Sequence, residues 1–440
     1  MIGNRFVTQI NGVMQNKGIF RIGSEEQEVL LDEITRKPII PASGIAGAFR
    51  AYAKQAGFDE KQINSLFGCA GNLNETDGKS HRAKSKLFAY DAYGERTVFE
   101  KRQRVRIEGI RGTADTENKG KFSIEFLNEL TSFPFQLEYY GKDMEEMNTF
   151  DKIIINCLAG LHSGEIRFGG QKTNGAGEFT IVELKELKVD MFDRLQYVSY
   201  LTGESNGRDI LGLIKEKRTE SNYVEFKIRC VLDTPLLIGG LDENDSNEAD
   251  KKTVKNVYGE YIIPASSLKG VIRSQCSKIA DFVGSPSGLV EEMFGSTKEE
   301  GCAGRVYVSD SIIHNHMDSV SYHRIKIDKF TGGTLKGAKF SDKPVMGDTV
   351  LSIRFLPSSD AMEAQTGLLI LALRDLAYGI TNLGSGFNIG RGRLKASGFY
   401  MRKSLDNKEI YIDFDKKTGD FEALNQYISN FLEYGGVVHD

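Results

Sequence analysis

Two glycine-rich segments carry the residues best suited to holding an anion. LGSGFNIGRGRL, from Leu383 to Leu394, sets Arg391 and Arg393 among glycines, and FGGQKTNGAGEF, from Phe168 to Phe179, carries Lys172. Gly169, Gly175 and Gly177 fall at the spacing of Gly384, Gly390 and Gly392, so both segments share a three-glycine frame. Glycine tolerates positive φ and lets backbone approach a partner closely, and peptide N–H groups freed in such a loop bind phosphate oxygens. Neither segment is a P-loop, because no Gly-Lys-Ser/Thr follows. Taken singly, each is as well explained as a tight connection before a strand.

Further cations cluster nearby. Lys101, Arg102, Arg104, Arg106 and Arg111 surround RVRIEGIRG, and Arg324, Lys326, Lys329, Lys336 and Lys339 populate a second stretch. A charge run alone is usually a solvated face, but such density in a chain of formal net charge -4 suggests a phosphate track. Ser43, and Ser266 and Ser267 with Lys269, stand where a helix should begin, with Arg50 and Arg273 two turns further on. Free N–H groups and the dipole at such a terminus favour phosphate, although these serines equally suit ordinary capping. His162, His314, His316 and His323 show no third ligand at useful spacing. The five cysteines never form C-x-x-C, which excludes a zinc site and a disulfide framework and predicts buried reduced thiols.

The elements that must position these groups occur twice. IIPASGIAGAFR (Ile39 to Arg50) and IIPASSLKGVIR (Ile262 to Arg273) agree at seven of twelve positions. Phe67-Gly68 and Phe294-Gly295, LFAYDA and VYVSDS, the two basic stretches and the two glycine loops follow in the same order. The offset stays between 215 residues (Gly169 to Gly384) and 227 (Phe67 to Phe294), as a tandem duplication requires. One repeat spans 1–188 and the other 222–440, joined by a connector, 189–221, with one short helix. A chain of 440 residues suits two domains of about 200. No apolar run reaches the roughly 18 residues of a membrane span, and MIGNRFVTQI lacks the form of a signal peptide, so a cytoplasmic location is expected.

YVEFKIRCVL alternates apolar Val224, Phe226, Ile228 and Cys230 with charged residues, the period of a half-buried strand. A first helix should bury Ile45 and Phe49 in one repeat and Leu268, Ile272, Cys276 and Ile279 in the other. A second helix carries Phe150, Ile153, Ile154, Cys157, Leu158 and Leu161, matched by Leu369, Ala372, Leu373, Leu376, Ala377 and Ile380. Each glycine loop follows that helix and precedes a strand. The predicted class is α+β, with two tandem ferredoxin-like (βαββαβ, RRM-like) domains.

The Pro-Ala-Ser helix, the FG pair, the Asp-containing strand, the R-x-x-I-D-x-x-x-G-G segment and the glycine loop, duplicated in fixed order, resemble the repeat-associated mysterious protein (RAMP) superfamily. The likeness is strongest to the double backbone subunits of type III-like CRISPR effector complexes. Repeat one departs more, with Gly44, Ala46 and Glu108 at the places of serine, lysine and aspartate. The resemblance implies CRISPR RNA, complementary target RNA and other effector subunits as partners, with no membrane. It implies inserted β-hairpin thumbs at the basic stretches. It also implies RNA contacts at Ser43, Arg50, Arg104, Arg106, Lys172, Ser266, Ser267, Lys269, Arg273, Arg324, Lys326, Gly390, Arg391 and Arg393. Family members that cleave target RNA use an aspartate in the loop before the first helix, matched here by Asp32 and Asp250, with Asp242 and Asp245 sharing the latter's loop. A divalent metal, Mg or Mn, would assist, and no organic cofactor is implied. Two rival readings are a purely structural CRISPR RNA-binding subunit and an endoribonuclease that processes precursor CRISPR RNA. Two glycine loops, each with its own Pro-Ala-Ser helix, disfavour the latter.

Overall fold

The computed structural model describes residues 4–23, 28–69, 83–95, 98–105, 121–203, 207–217, 222–240, 251–286, 288–296, 301–317, 321–358, 361–404 and 408–435. Two compact units result. Met1–Lys101, Ile124–Lys172 and Ala176–Ser221 form the first; Arg102–Ser123, Thr173–Gly175 and Asn222–Asp440 form the second.

In the first unit, β1 (Phe6–Asn16), β2 (Leu87–Ala89), β3 (Ser132–Gly141) and β4 (Phe179–Asp190) form an antiparallel sheet in the order β2-β3-β1-β4. Helix α1 (Ala42–Gln55) lies between β1 and β2 in the chain, and α2 (Met144–His162) between β3 and β4. This is the ferredoxin-like arrangement. The predicted stripe of α2, from Phe150 to Leu161, is buried in one core with Phe133, Phe135, Leu137 and Tyr139 of β3. The stretch 189–221 holds more structure than a connector with one helix. β4 continues to Asp190, Arg194–Thr202 and Leu211–Glu216 are helical, and Arg208–Asp209 pairs with β4. Ile210 and Ile214, one helical turn apart, reach the first core and anchor the stretch.

The second unit repeats this order. Its strands are β5 (Val224–Leu232), β6 (Val306–Val308), β7 (Ser311–Met317), β8 (Tyr322–Ile327), β9 (Thr334–Lys343), β10 (Met346–Phe355) and β11 (Leu394–Lys403). Its longer helices are α3 (Ala265–Val283), α4 (Met362–Ala377) and α5 (Phe421–Tyr434), and the strand Glu409–Asp413 pairs with β11. The main sheet runs β7-β10-β5-β11, with β6 also on β10. Val224, Phe226, Ile228 and Cys230 face inward as the alternation predicts. β8 and β9 form the hairpin of a separate sheet with Gly239–Gly240 and Lys251–Thr253. Ile380 departs from expectation: α4 ends at Ala377, and Ile380 beyond it is 67% exposed. α5 covers α4 so closely that a Cβ at Gly367 would lie 2.0 Å from the Tyr427 carbonyl oxygen.

Two further expectations are corrected. Ser43, Ser266 and Ser267 do not cap their helices. α1 and α3 begin after Pro41 and Pro264, and their first N–H groups, at Ala42 and Ala265, donate to Asp91 (2.7 Å) and Asp310 (2.8 Å). These carboxylates sit in LFAYDA and VYVSDS, so the cap comes from a neighbouring strand segment. Among the cysteines, Cys157, Cys230 and Cys276 are buried, but Cys69 is half-buried and Cys302 exposed.

The glycine frames match bond for bond. All six glycines have positive φ, between 74° and 86°. Phe168 N–H donates to Gly177 and Leu383 N–H to Gly392 (3.0 and 2.8 Å). Gly170 and Gly177 donate to Arg21 and Ile19; Ser385 and Gly392 donate to Leu237 and Pro235. These N–H groups therefore latch the chain that leaves the first strand of each repeat, instead of awaiting phosphate. A Cβ at Gly392 would stand 1.8 Å from the Leu383 oxygen, whereas one at Gly390 meets nothing within 4 Å. Gly390→Ala should therefore cost only the roughly 1–2 kcal/mol of a left-handed non-glycine residue. Gly392→Ala should cost clearly more, because the clash falls on a hydrogen-bonded backbone. Urea unfolding of the two variants measures the difference; equal costs would show that close approach at Gly392 does not matter.

Candidate nucleic-acid interface

The start of α3 gathers cations. Asp310 uses one oxygen as the helix cap, and the other accepts from Nη1 of Arg102 at 2.5 Å. Arg102 is buried, so it belongs to the scaffold and not to an exposed basic track. Arg104, two residues along the strand Phe99–Val105, comes within the electrostatic reach of Lys269. Lys269 is 8% exposed and has no ion-pair partner among the described residues. Burial, and then the charges of Arg273 and Arg104, push its ammonium down to about 8. Arg273 lies one turn further along α3 and is exposed; Ser266 and Ser267 are half-buried in the first turn. Three like charges at a helix N-terminus, one of them desolvated, form a place where an anion relieves both repulsion and burial.

The first unit lacks this cluster. Ala46 stands at the place of Lys269, Ser43 is exposed, and Nη2 of Arg50 donates to Asn64 Oδ1 at 2.8 Å. Lys172 is exposed at the loop, where its carbonyl accepts from buried Arg167 at 2.9 Å. The sequence missed Asp91 and Asp310 as caps, although the two Asp-containing segments were visible at matching positions.

In the second glycine loop, Arg391 departs from the expected exposed phosphate ligand. It is buried, donates to Asp342 Oδ2 at 3.0 Å, and lies 5.1 Å from the centroid of the Tyr322 ring. Arg324, half-exposed on β8, binds the same Asp342 oxygen. Groups of the loop and hairpin still open to solvent include Arg393, 3.4 Å from Asp233, Lys326 on β8, and Gly390. Nothing near Asp342 in the sequence signals its role.

Asp32 sits at a hairpin tip. Its Oδ1 accepts from both the N–H and the hydroxyl of Thr35, each at 2.6 Å, and Thr35 holds the carboxyl below its ordinary range. Asp250, Asp242, Asp245, Arg106, Arg111 and Glu108 lie outside the described residues. No three His, Cys, Asp or Glu side chains among the described residues could jointly hold a metal ion, the four histidines included.

Two ferredoxin-like repeats, one bearing a desolvated lysine near a helix start, define a tandem RRM-like protein. The model of the RAMP superfamily matches residues 18–180 and 229–395, and the chain belongs to that superfamily. It is a CRISPR-associated RNA-binding subunit, with CRISPR RNA and effector-complex subunits as the partners the family implies. No curated protein matches the chain. No described helix is long and apolar enough to cross a membrane.

If Lys269 contacts RNA, binding should be pH-dependent. Folding depresses its value from 10.5 to about 8, so the fold favours the neutral amine. The RNA-free protein should therefore gain stability from this residue as pH rises from about 8 towards 10.5. RNA affinity should move the other way, falling as pH passes about 8 and the ammonium is lost. Filter binding at pH 7 and pH 9 checks this, with Lys269→Arg expected to flatten the profile and Lys269→Met to weaken binding at both. Identical profiles for all three proteins would remove Lys269 from the interface.

Proposed function

We propose that the chain is a double backbone subunit of a type III-like effector complex, binding guide RNA through the cations at α3 and the basic hairpin. The observation that carries this reading is the buried, unpaired Lys269 beside Arg104 and Arg273. A structure that keeps a lysine desolvated among like charges is poised for a polyanion, and phosphate contacts hold RNA whatever its sequence. Ser266, Ser267, Arg324, Lys326, Gly390 and Arg393 extend the proposed track; in the first unit Ser43, Arg50, Lys172 and Arg106 would contribute less.

The proposed activity is cleavage of guide-paired target RNA beside Asp32 and Asp250. The 2'-hydroxyl attacks the adjacent phosphorus and gives its proton to a base. The bond to the 5'-oxygen breaks, and that oxygen takes up a proton, leaving a 2',3'-cyclic phosphate and a 5'-hydroxyl. The described residues offer no metal-ligating trio, and chelation tests whether Mg or Mn takes part. A purely structural role competes for the first repeat, because Asp32 already serves its own turn through Thr35.

Sequencing RNA that co-purifies with the protein is expected to return repeat-spacer guides, and their absence would sink the assignment. Given a paired target, Asp32→Asn and Asp250→Asn should each remove one of two cleavage products and leave guide affinity unchanged. A product ladder untouched by both substitutions would favour the structural role.

A further inference from the structure

One buried carboxylate ties three segments of the second unit together. Asp342 on β9 is 2% exposed and accepts from Arg391 of the glycine loop and Arg324 of β8. In the backbone Asp342 stands in register with Lys251, and Lys251–Thr253 pairs in parallel with β9. The same short strand pairs antiparallel with Gly239–Gly240. Gly239–Gly240 and Lys251–Thr253 are therefore paired on either side of the stretch 241–250, whose last residue in the chain is Asp250. The glycine loop grips the chain entering that strand pair, since Ser385 N–H donates to Leu237 at 2.8 Å and the Thr253 hydroxyl to Leu236 at 2.9 Å.

Among the described residues, a single carboxylate between two guanidinium groups leaves one positive charge uncompensated, and Nε of Arg324 has no hydrogen-bond partner. Buried ion pairs add little net stability over apolar packing, yet removing one partner strands a charge. Such a group is better suited to fixing placement than to strengthening the core.

We infer that Asp342 is a positioning residue: it sets the β8–β9 hairpin and the strand pair Gly239–Gly240 and Lys251–Thr253, which flanks the stretch 241–250 in the chain, against the glycine loop. The consequence for cleavage rests on the reading of Asp250 proposed above; the mechanical coupling does not.

Hydrogen exchange of the full RNA-free chain tests the coupling. Asp342→Asn is expected to speed exchange about tenfold or more in Tyr322–Ile327, Thr334–Lys343 and Lys251–Thr253, leaving β5 and α4 unchanged. Arg391→Lys keeps the charge pair but loses the flat guanidinium on Tyr322. It should show a smaller rise in the same segments, and it carries the test if Asp342→Asn does not fold. Unchanged exchange in those segments, or a uniform rise across the unit, overturns the inference. With guide-paired target, Asp342→Asn should lose the product that Asp250→Asn loses and retain the other; equal loss of both products would also overturn it. If Asp250→Asn leaves both products intact while the local exchange effect holds, the cleavage reading fails and the coupling stands.

Discussion

The closest constraint in the fold is steric. At Gly177 and Gly392 the backbone passes so near the preceding turn that a Cβ would stand 2.0 and 1.8 Å from the carbonyl oxygens of Phe168 and Leu383. That approach lets the end of the second helix, the start of the last strand and the chain leaving the first strand share one set of backbone bonds. In a βαββαβ fold these segments lie far apart in sequence, and the loop before the first helix begins where the first strand ends. The frame therefore fixes the root of each loop that carries a candidate aspartate. Its glycines serve the chain before they serve any ligand.

A second constraint is electrostatic and differs between the units. Both first helices start after proline and both are capped by an aspartate from a strand segment, so their geometry is equivalent. Asp91 and Asp310 nevertheless work in different company. Asp310 also holds Arg102, which brings the strand of Arg104 to α3, whereas the second oxygen of Asp91 has no partner among the described residues. With Ala46 in place of a lysine, α1 keeps the dipole and loses the fixed charge. A dipole alone contributes a few tenths to about 1 kcal/mol to anion binding near a surface, less than a charge-assisted hydrogen bond.

What the sequence made legible follows from the range of the interaction. The strand of Val224 to Cys230 and the helix of Phe150 to Leu161 were readable because period two and period 3.6 are local. The repeat, and hence the fold, was readable because duplication preserves order. Side-chain partners across long loops were not. Arg391 and Asp342 are 49 residues apart, and Arg102 and Asp310 are 208 apart. An arginine between glycines therefore reads as an exposed ligand until its carboxylate is found. Lys269 could be picked as a cation at a helix start, but its burial and the charge of Arg104 beside it, 165 residues away in the chain, could not.

The fate of Arg391 bears on how charge should be counted in an acidic protein that binds RNA. Of two arginines in one loop, one is consumed by a buried carboxylate and the other leans on a half-exposed aspartate. Simple density thus overstates the cations that a phosphate meets. The exception is Lys269, where desolvation works against the charge and no carboxylate answers it. A buried ammonium in that state costs the free protein stability below about pH 8, and at such pH an incoming anion offsets that cost. This is why one lysine at α3 says more about RNA binding than the density of basic residues in either longer stretch.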